Sequence, residues 1–244
     1  MGFKKLIYFT LGNNLGYVEM AKLCIDSLIG CGYDGDILFI TDMIDEIKRD
    51  IKINNNILFH KINPSGLLES SANKLKIYEF PNIQEYDKII YSDLDILWLK
   101  SPDIIFDSII EDKIYITEEN SLMCDEYWGG RILEINEKEF ITNNNIKGLN
   151  AGFFCFNSSL ISVFKDIDEF LIKNSDKINI CLEQPFINTY LFRNNLYNTT
   201  LNLLISHNGY NLKTFNGVLL HFAGGPGSYN IKLDKMKNFN YEYH

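Results

Sequence analysis

The chain is expected to fold as a layered α/β domain around a largely parallel sheet. Two observations predict this. Short apolar runs of strand length alternate with stretches whose apolar residues recur at helical spacing. The 244 residues are 46% hydrophobic, enough to bury a sizeable core. No linker, low-complexity tract or internal repeat interrupts the pattern, so residues 1–244 read as a single domain.

The elements follow in order. Residues 5–10, KLIYFT, read as a buried strand and lead into a Gly/Asn-rich turn, LGNNLG. Val18, Ala21, Cys24, Ile25, Leu28 and Ile29 then recur at helical spacing, with Gly30 and Gly32 as stops. Residues 36–41, DILFIT, are the next strand, and residues 56–60, around ILFHK, a third. From Ser71 to Tyr86 the pattern is helical, with Pro81 expected to kink or end it. KIIYSD follows as a strand. KSPDIIFDSII turns and then runs helical from a start at Ser101 and Pro102. Residues 113–117, KIYIT, form another short strand. Residues 119–149 lack periodicity and are expected to hold loops or a small helical excursion. AGFFCFN at 151–157 is a strand, 158–173 and 181–192 are amphipathic, and VLLHF at 218–222 closes the series.

Composition excludes some classes. The formal charge is -9 and no basic stripe is visible, which argues against nucleic acid as a partner. The five cysteines (Cys24, Cys31, Cys124, Cys155 and Cys181) are odd in number and form no Cys-x-x-Cys pair. Cys24, Cys155 and Cys181 sit among apolar residues and fit buried thiols, and the set fits the reducing side of a cell, hence a cytoplasmic protein. The N-terminal apolar stretch is too short for a signal peptide, and no run approaches membrane-spanning length.

The chemistry-bearing residues begin with KIIYSDLDILWL at 88–99. Asp93 and Asp95 follow the apolar strand directly, at the edge where open α/β sheets bind ligands. On an extended segment their side chains point the same way. Two convergent carboxylates repel unless a cation lies between them, and oxygen ligands suit magnesium or manganese. A solvated strand end would carry the same two acids. His221 ends VLLHF, and an imidazole there could be a third ligand or simply a satisfied core histidine. The glycines after it, Gly224 among them, could let backbone amides approach phosphate oxygens. Lys74, Asn150, Glu183 and Gln184 each stand at a polar-to-apolar switch, where capping or surface roles explain them equally well.

The set SANKLKIYEF, YDKIIYSDLDILWL, LNAGFFCFNSSL, EQPFIN and VLLHFAGGPG resembles glycosyltransferase family 8. This is the retaining GT-A group that includes glycogenin-like and bacterial galactosyltransferase-like enzymes. The five pieces stand in the family's order across residues 70–225. The resemblance implies a GT-A-type nucleotide-diphospho-sugar transferase fold, three-layer α/β/α with a central mixed, mainly parallel sheet. It implies metal-dependent transfer of a hexose or N-acetylhexosamine from a UDP-sugar to a glycan or protein hydroxyl, with Mn2+ or Mg2+ as cofactor. By the same resemblance Asp93, Asp95 and His221 hold the metal, with Asp93 also near the ribose. Lys74 lies near the donor sugar and diphosphate. Asn150, Ala151 and Gly152 flank the sugar, and Glu183 holds its hydroxyls. Gln184 sits beneath the anomeric carbon, and Thr10, Leu11 and Tyr17 cradle the uridine. An amide is a poor nucleophile, so front-face attack is the easier route to retention, with Glu183 as the covalent alternative. A homodimer is allowed.

One departure matters. Gly227 stands where the family carries a lysine, and the Pro-Trp pair after it is missing. Lys232 could supply that charge from farther along, or Ser228 a weaker bond. The competing classes are a sugar-phosphate nucleotidyltransferase, an Asp-x-Asp phosphatase and an inactive nucleotide- or sugar-binding domain. TLGNNLGYVE lacks the arginine of the first, and Leu97 stands where the second carries Thr or Val.

Overall fold

Alternate residues of strand β1 (Lys5–Leu11) are buried on opposite sides. Ile7, Phe9 and Leu11 join one apolar cluster; Leu6 and Tyr8 join another. A strand covered on both faces needs apolar residues at every position, which is why KLIYFT shows no alternation. The computed structural model describes residues 3–12, 14–51, 56–207, 215–224 and 229–239. Gly227 and Ser228 lie outside the described residues.

The large sheet has the order β3-β2-β1-β4-β7-β6-β8. Its further strands are β2 (Asp36–Thr41), β3 (Ile57–Lys61), β4 (Lys88–Ser92), β6 (Ile114–Leu122), β7 (Lys147–Asn157) and β8 (Tyr197–Asn198). β1, β2, β3 and β4 run parallel, β7 runs antiparallel to both β4 and β6, and β8 runs parallel to β6. The sheet is therefore mixed and largely parallel, as expected. A second sheet, β5-β10-β9, joins β5 (Ile96–Trp98), β10 (Leu219–His221) and β9 (Ile205–Ser206).

Each face has its own layer. On one side helix α1 (Gly16–Gly30) buries Val18, Ala21, Cys24, Ile25 and Leu28, the predicted stripe, and Gly32 turns the chain with φ 84°. The small sheet and helix α8 (Tyr229–Lys237) share that cluster through Ile96, Trp98, Leu219 and Leu233. On the other side lie α6 (Ile161–Lys173) and α7 (Gln184–Arg193). α6 packs its Phe164, Ile167 and Leu171 face there. α7 opens with Pro185 in its first turn, where a missing N–H costs nothing.

One expectation needs correction. The stretch 71–86 is not one helix: α3 (Leu67–Ala72) passes into a 3-10 helix at Asn73–Glu79, and Phe80 is extended before Pro81. Residues 119–149 do hold the expected small helical excursion: between the end of β6 and the start of β7 come a single turn at Glu126–Gly130 and helix α5 (Ile135–Asn143), whose first turn is held by a Glu134/Glu137 capping box. The other α-helices among the described residues are α2 (Ile44–Asp50) and α4 (Asp103–Ser108). No helix among the described residues is long and apolar enough to cross a membrane.

Candidate functional site

The chain runs from β1 outward to β3 and then crosses back to β4, so the winding reverses between β1 and β4. Their carboxyl ends flank the crevice that such a reversal leaves open. A cavity of about 1250 Å³ lies there, with Thr10 and Leu11 of β1 and Asp93 beyond β4 in its wall. Among the described residues, every candidate ligand-site residue taken from the sequence lines it except Ala151.

The acids do not converge by strand alternation. Asp93 and Asp95 sit on a bend between β4 and β5, where the chain leaves one sheet for the other. β10 then pairs antiparallel with β5, setting His221 opposite Ile96, and Phe222 N donates to Asp95 O at 2.9 Å. His221 Nε2 thereby comes to 3.1 Å from Asp95 Oδ1 and 3.9 Å from Asp93 Oδ2. One ligand atom from each of Asp93, Asp95 and His221 lies within 4.8 Å of the others. Asp95 and His221 are buried and Asp93 is part-exposed. Two carboxylates and an imidazole suit a divalent ion such as manganese or magnesium. Gly152 leaves the space: a Cβ there would lie 2.3 Å from His221 Cε1 and 2.7 Å from Asp93 Oδ2. The site also draws cations already, since the Lys232 ammonium is paired with Asp95 Oδ2. Burial pushes the Asp95 carboxyl up, but His221 and then Lys232 outweigh it and hold Asp95 well below the usual carboxylate range.

A break in the ladder opens the cavity wall. Ile116 of β6 pairs with Phe154, but the next residue, Thr117, pairs with Asn150. Residues 151–153 of β7 therefore lose their β6 partners, and side chains replace the missing bonds. Gln184 Oε1 accepts from Ala151 N and Asn150 Oδ1 from Gly152 N, both at 2.9 Å. Asn150 Nδ2 in turn donates to Glu119 Oε1 at 2.5 Å. Ala151 contributes backbone alone, since its methyl points into the apolar cluster beneath, opposite to Asn150 and Gly152.

Lys74 crosses under this wall. Its Nζ donates to Ala151 O at 3.1 Å, pairs with Glu183 Oε1 at 2.8 Å and lies 3.6 Å from Asp93 Oδ1. Burial pulls the ammonium down, but Asp93 and then Glu183 hold it well above its usual value, so it stays charged. The Tyr91 hydroxyl donates to Asp93 Oδ1 and, 3.2 Å away, accepts from Thr10 Oγ1. Leu182, just before Glu183, adopts φ 53°, a left-handed conformation that costs a non-glycine residue about 1–2 kcal/mol. It lines the cavity too, so the strain sits where the chain turns Glu183 inward. Tyr17 and Gly224 also line the cavity.

Sequence reasoning missed Glu119, Trp128 and His207, which also line the cavity. His207 Nδ1 is 3.0 Å from His221 Nδ1 and its Nε2 bonds Thr117 Oγ1. Burial and the neighbouring His221 pull its imidazole down to about 3, so it is neutral.

No family model matches the chain, and no curated protein does. Among solved structures it is similar to the WbbM bifunctional glycosyltransferase in its apo form. Identity is 13% and the TM-score 0.62, over 98% of this chain and 50% of that one. The chain thus spans half the length of that structure, and the likeness is one of fold. An α/β fold with a candidate Asp-Asp-His metal cluster agrees with the GT-A type expected from the sequence.

Proposed function

We propose that the chain is a single GT-A-like unit that transfers a hexose or N-acetylhexosamine from a UDP-sugar to a glycan or protein hydroxyl, with retention of configuration. The observation that carries the reading is the Asp93, Asp95 and His221 cluster at the sheet's winding reversal, on the wall of a cavity large enough for a nucleotide-sugar. The family 8 motifs narrow it to a retaining enzyme that uses UDP. The five unpaired cysteines favour the cytoplasm.

In this reading Asp93, Asp95 and His221 hold Mn2+ or Mg2+. A divalent ion neutralises charge on the departing diphosphate. Lys74 keeps a fixed positive charge in the same wall, so it stabilises developing anion without reorganising. Glu183 is held by its pairing with Lys74 and accepts hydrogen bonds from sugar hydroxyls. The Gln184 carbonyl is committed to Ala151 N, which fixes the amide under the sugar as a positioning group. Lys232 belongs to the same site and replaces the missing lysine of the final motif. Calorimetry of UDP with Mn2+, against GDP and against UDP with chelator, tests the reading. Binding seen for UDP plus metal and lost in Asp95→Asn is expected. No UDP binding under any metal condition sinks it, and binding without turnover on a UDP-sugar panel marks a binding domain instead.

A further inference from the structure

We propose that His207 is a positioning residue of the metal site, setting which nitrogen of His221 faces the cation. The inference rests on the metal-site reading above and adds a residue that no motif marked.

His207 follows β9, the strand that pairs parallel with β10 and so carries it alongside His221. The rings meet edge to face, with centroids 5.2 Å apart and an angle of 74°. Polar contacts run in one line: His221 Nε2 lies 3.1 Å from Asp95 Oδ1, His221 Nδ1 is 3.0 Å from His207 Nδ1, and His207 Nε2 bonds the buried Thr117 hydroxyl.

Two ring nitrogens in hydrogen-bond contact cannot both donate or both accept. For His221 to offer its Nε2 lone pair to a cation, its proton must sit on Nδ1 and be donated to His207 Nδ1. His207 then carries its own proton on Nε2 and donates it to Thr117 Oγ1. With no cation, His221 carries its proton on Nε2, beside Asp95 Oδ1 at 3.1 Å, and the line reverses. His207 Nδ1–H donates to His221, and the Thr117 hydroxyl donates to His207 Nε2. Each ring keeps one proton in both directions. On loading, the His221 Nε2 proton leaves to solvent, the His207 Nδ1 proton passes to His221 Nδ1, and His207 Nε2 takes one proton from solvent.

Metal-bound histidines commonly give their other N–H to a carboxylate or carbonyl. Such a partner only accepts. A second histidine both accepts and donates, so His221 is satisfied in either state and no buried polar group is stranded when the ion leaves.

The test uses the full chain. Nitrogen-15 histidine spectra are recorded without metal and with saturating Mg2+ and UDP. His221 should move from the Nε2–H to the Nδ1–H tautomer and His207 the opposite way. Electron paramagnetic resonance of free Mn2+ should show affinity falling about 10–100-fold in His207→Phe. His207→Gln, whose amide can turn to donate or accept, should recover most of the loss. Unchanged tautomers on binding, or wild-type Mn2+ affinity in His207→Phe, overturns the proposal while leaving the metal site standing. Absence of Mn2+ binding by the wild-type protein overturns both. Should His207→Phe fail to fold, the wild-type spectra decide.

Discussion

Lys74 and Lys76 stand two residues apart on one short 3-10 helix, and both form ion pairs screened from solvent. Three residues make a turn there, so the two side chains leave about 240° apart. Lys74 enters the cavity wall to meet Glu183 and Asp93. Lys76 turns to α6, where its Nζ reaches Asp168 Oδ2 at 2.5 Å and Tyr78 Oη at 3.3 Å. Tyr78 also donates to the same Asp168 oxygen at 2.9 Å, closing the set. Buried charge alone does not mark function. What separates the two is that both carboxylates facing Lys74 also line a cavity, whereas Asp168 does not.

The largest expected effect comes from Lys74→Met, which leaves the buried Glu183 carboxylate without its cation. Unfolding in denaturant should show a loss of about 3–5 kcal/mol. Adding Glu183→Gln should return most of that stability without restoring turnover. A double variant with wild-type turnover would reduce Lys74 to a structural ion like its neighbour. Lys76→Met should cost less, about 1–3 kcal/mol, because Asp168 keeps the Tyr78 hydrogen bond. UDP–Mn2+ affinity should stay at the wild-type level, and a clear drop would erase the distinction between the two lysines.

The smallest effect calibrates both. Arg193 holds Glu137 through bonds of 2.7 and 2.8 Å, and that pairing sets the Glu137 carboxyl below its usual value. A lowered carboxylate adds stability above its unfolded-state pKa and loses it as pH falls through the folded-state one. Glu137→Gln should therefore melt lower than wild type at pH 7 by about 0.5–1 kcal/mol. The gap should close as pH falls from the usual carboxylate range through the lowered folded-state pKa. A gap that persists in stronger acid would assign the loss to packing.

The strands were legible because burial on both faces demands unbroken apolar runs such as KLIYFT and DILFIT. Asp93, Asp95 and His221 were legible through motif order, but the geometric reason offered for the acids was not the one at work. Strand alternation would have aimed them together from one extended segment. The structure uses a bend between two sheets, which no local period reveals. The 71–86 stretch misled for a related reason: apolar spacing does not distinguish a 3-10 helix from an α-helix over two turns. Alternation along β7 did contain the separation of Ala151 from Asn150 and Gly152. His207 left no trace, since its place depends on a two-residue strand pairing with another of three.

The two small strands that seat His221 also fix when the site can exist. A ribosome delivers all seven strands of the large sheet by Asn198, before it delivers β10. Until then both acids are present, but β5 lacks its partner and the imidazole has not been made. Domains begin to organise during synthesis from the N-terminal side. A nascent or prematurely terminated chain can thus acquire most of the large sheet and still lack the Asp93, Asp95 and His221 cluster until residue 221 has been translated.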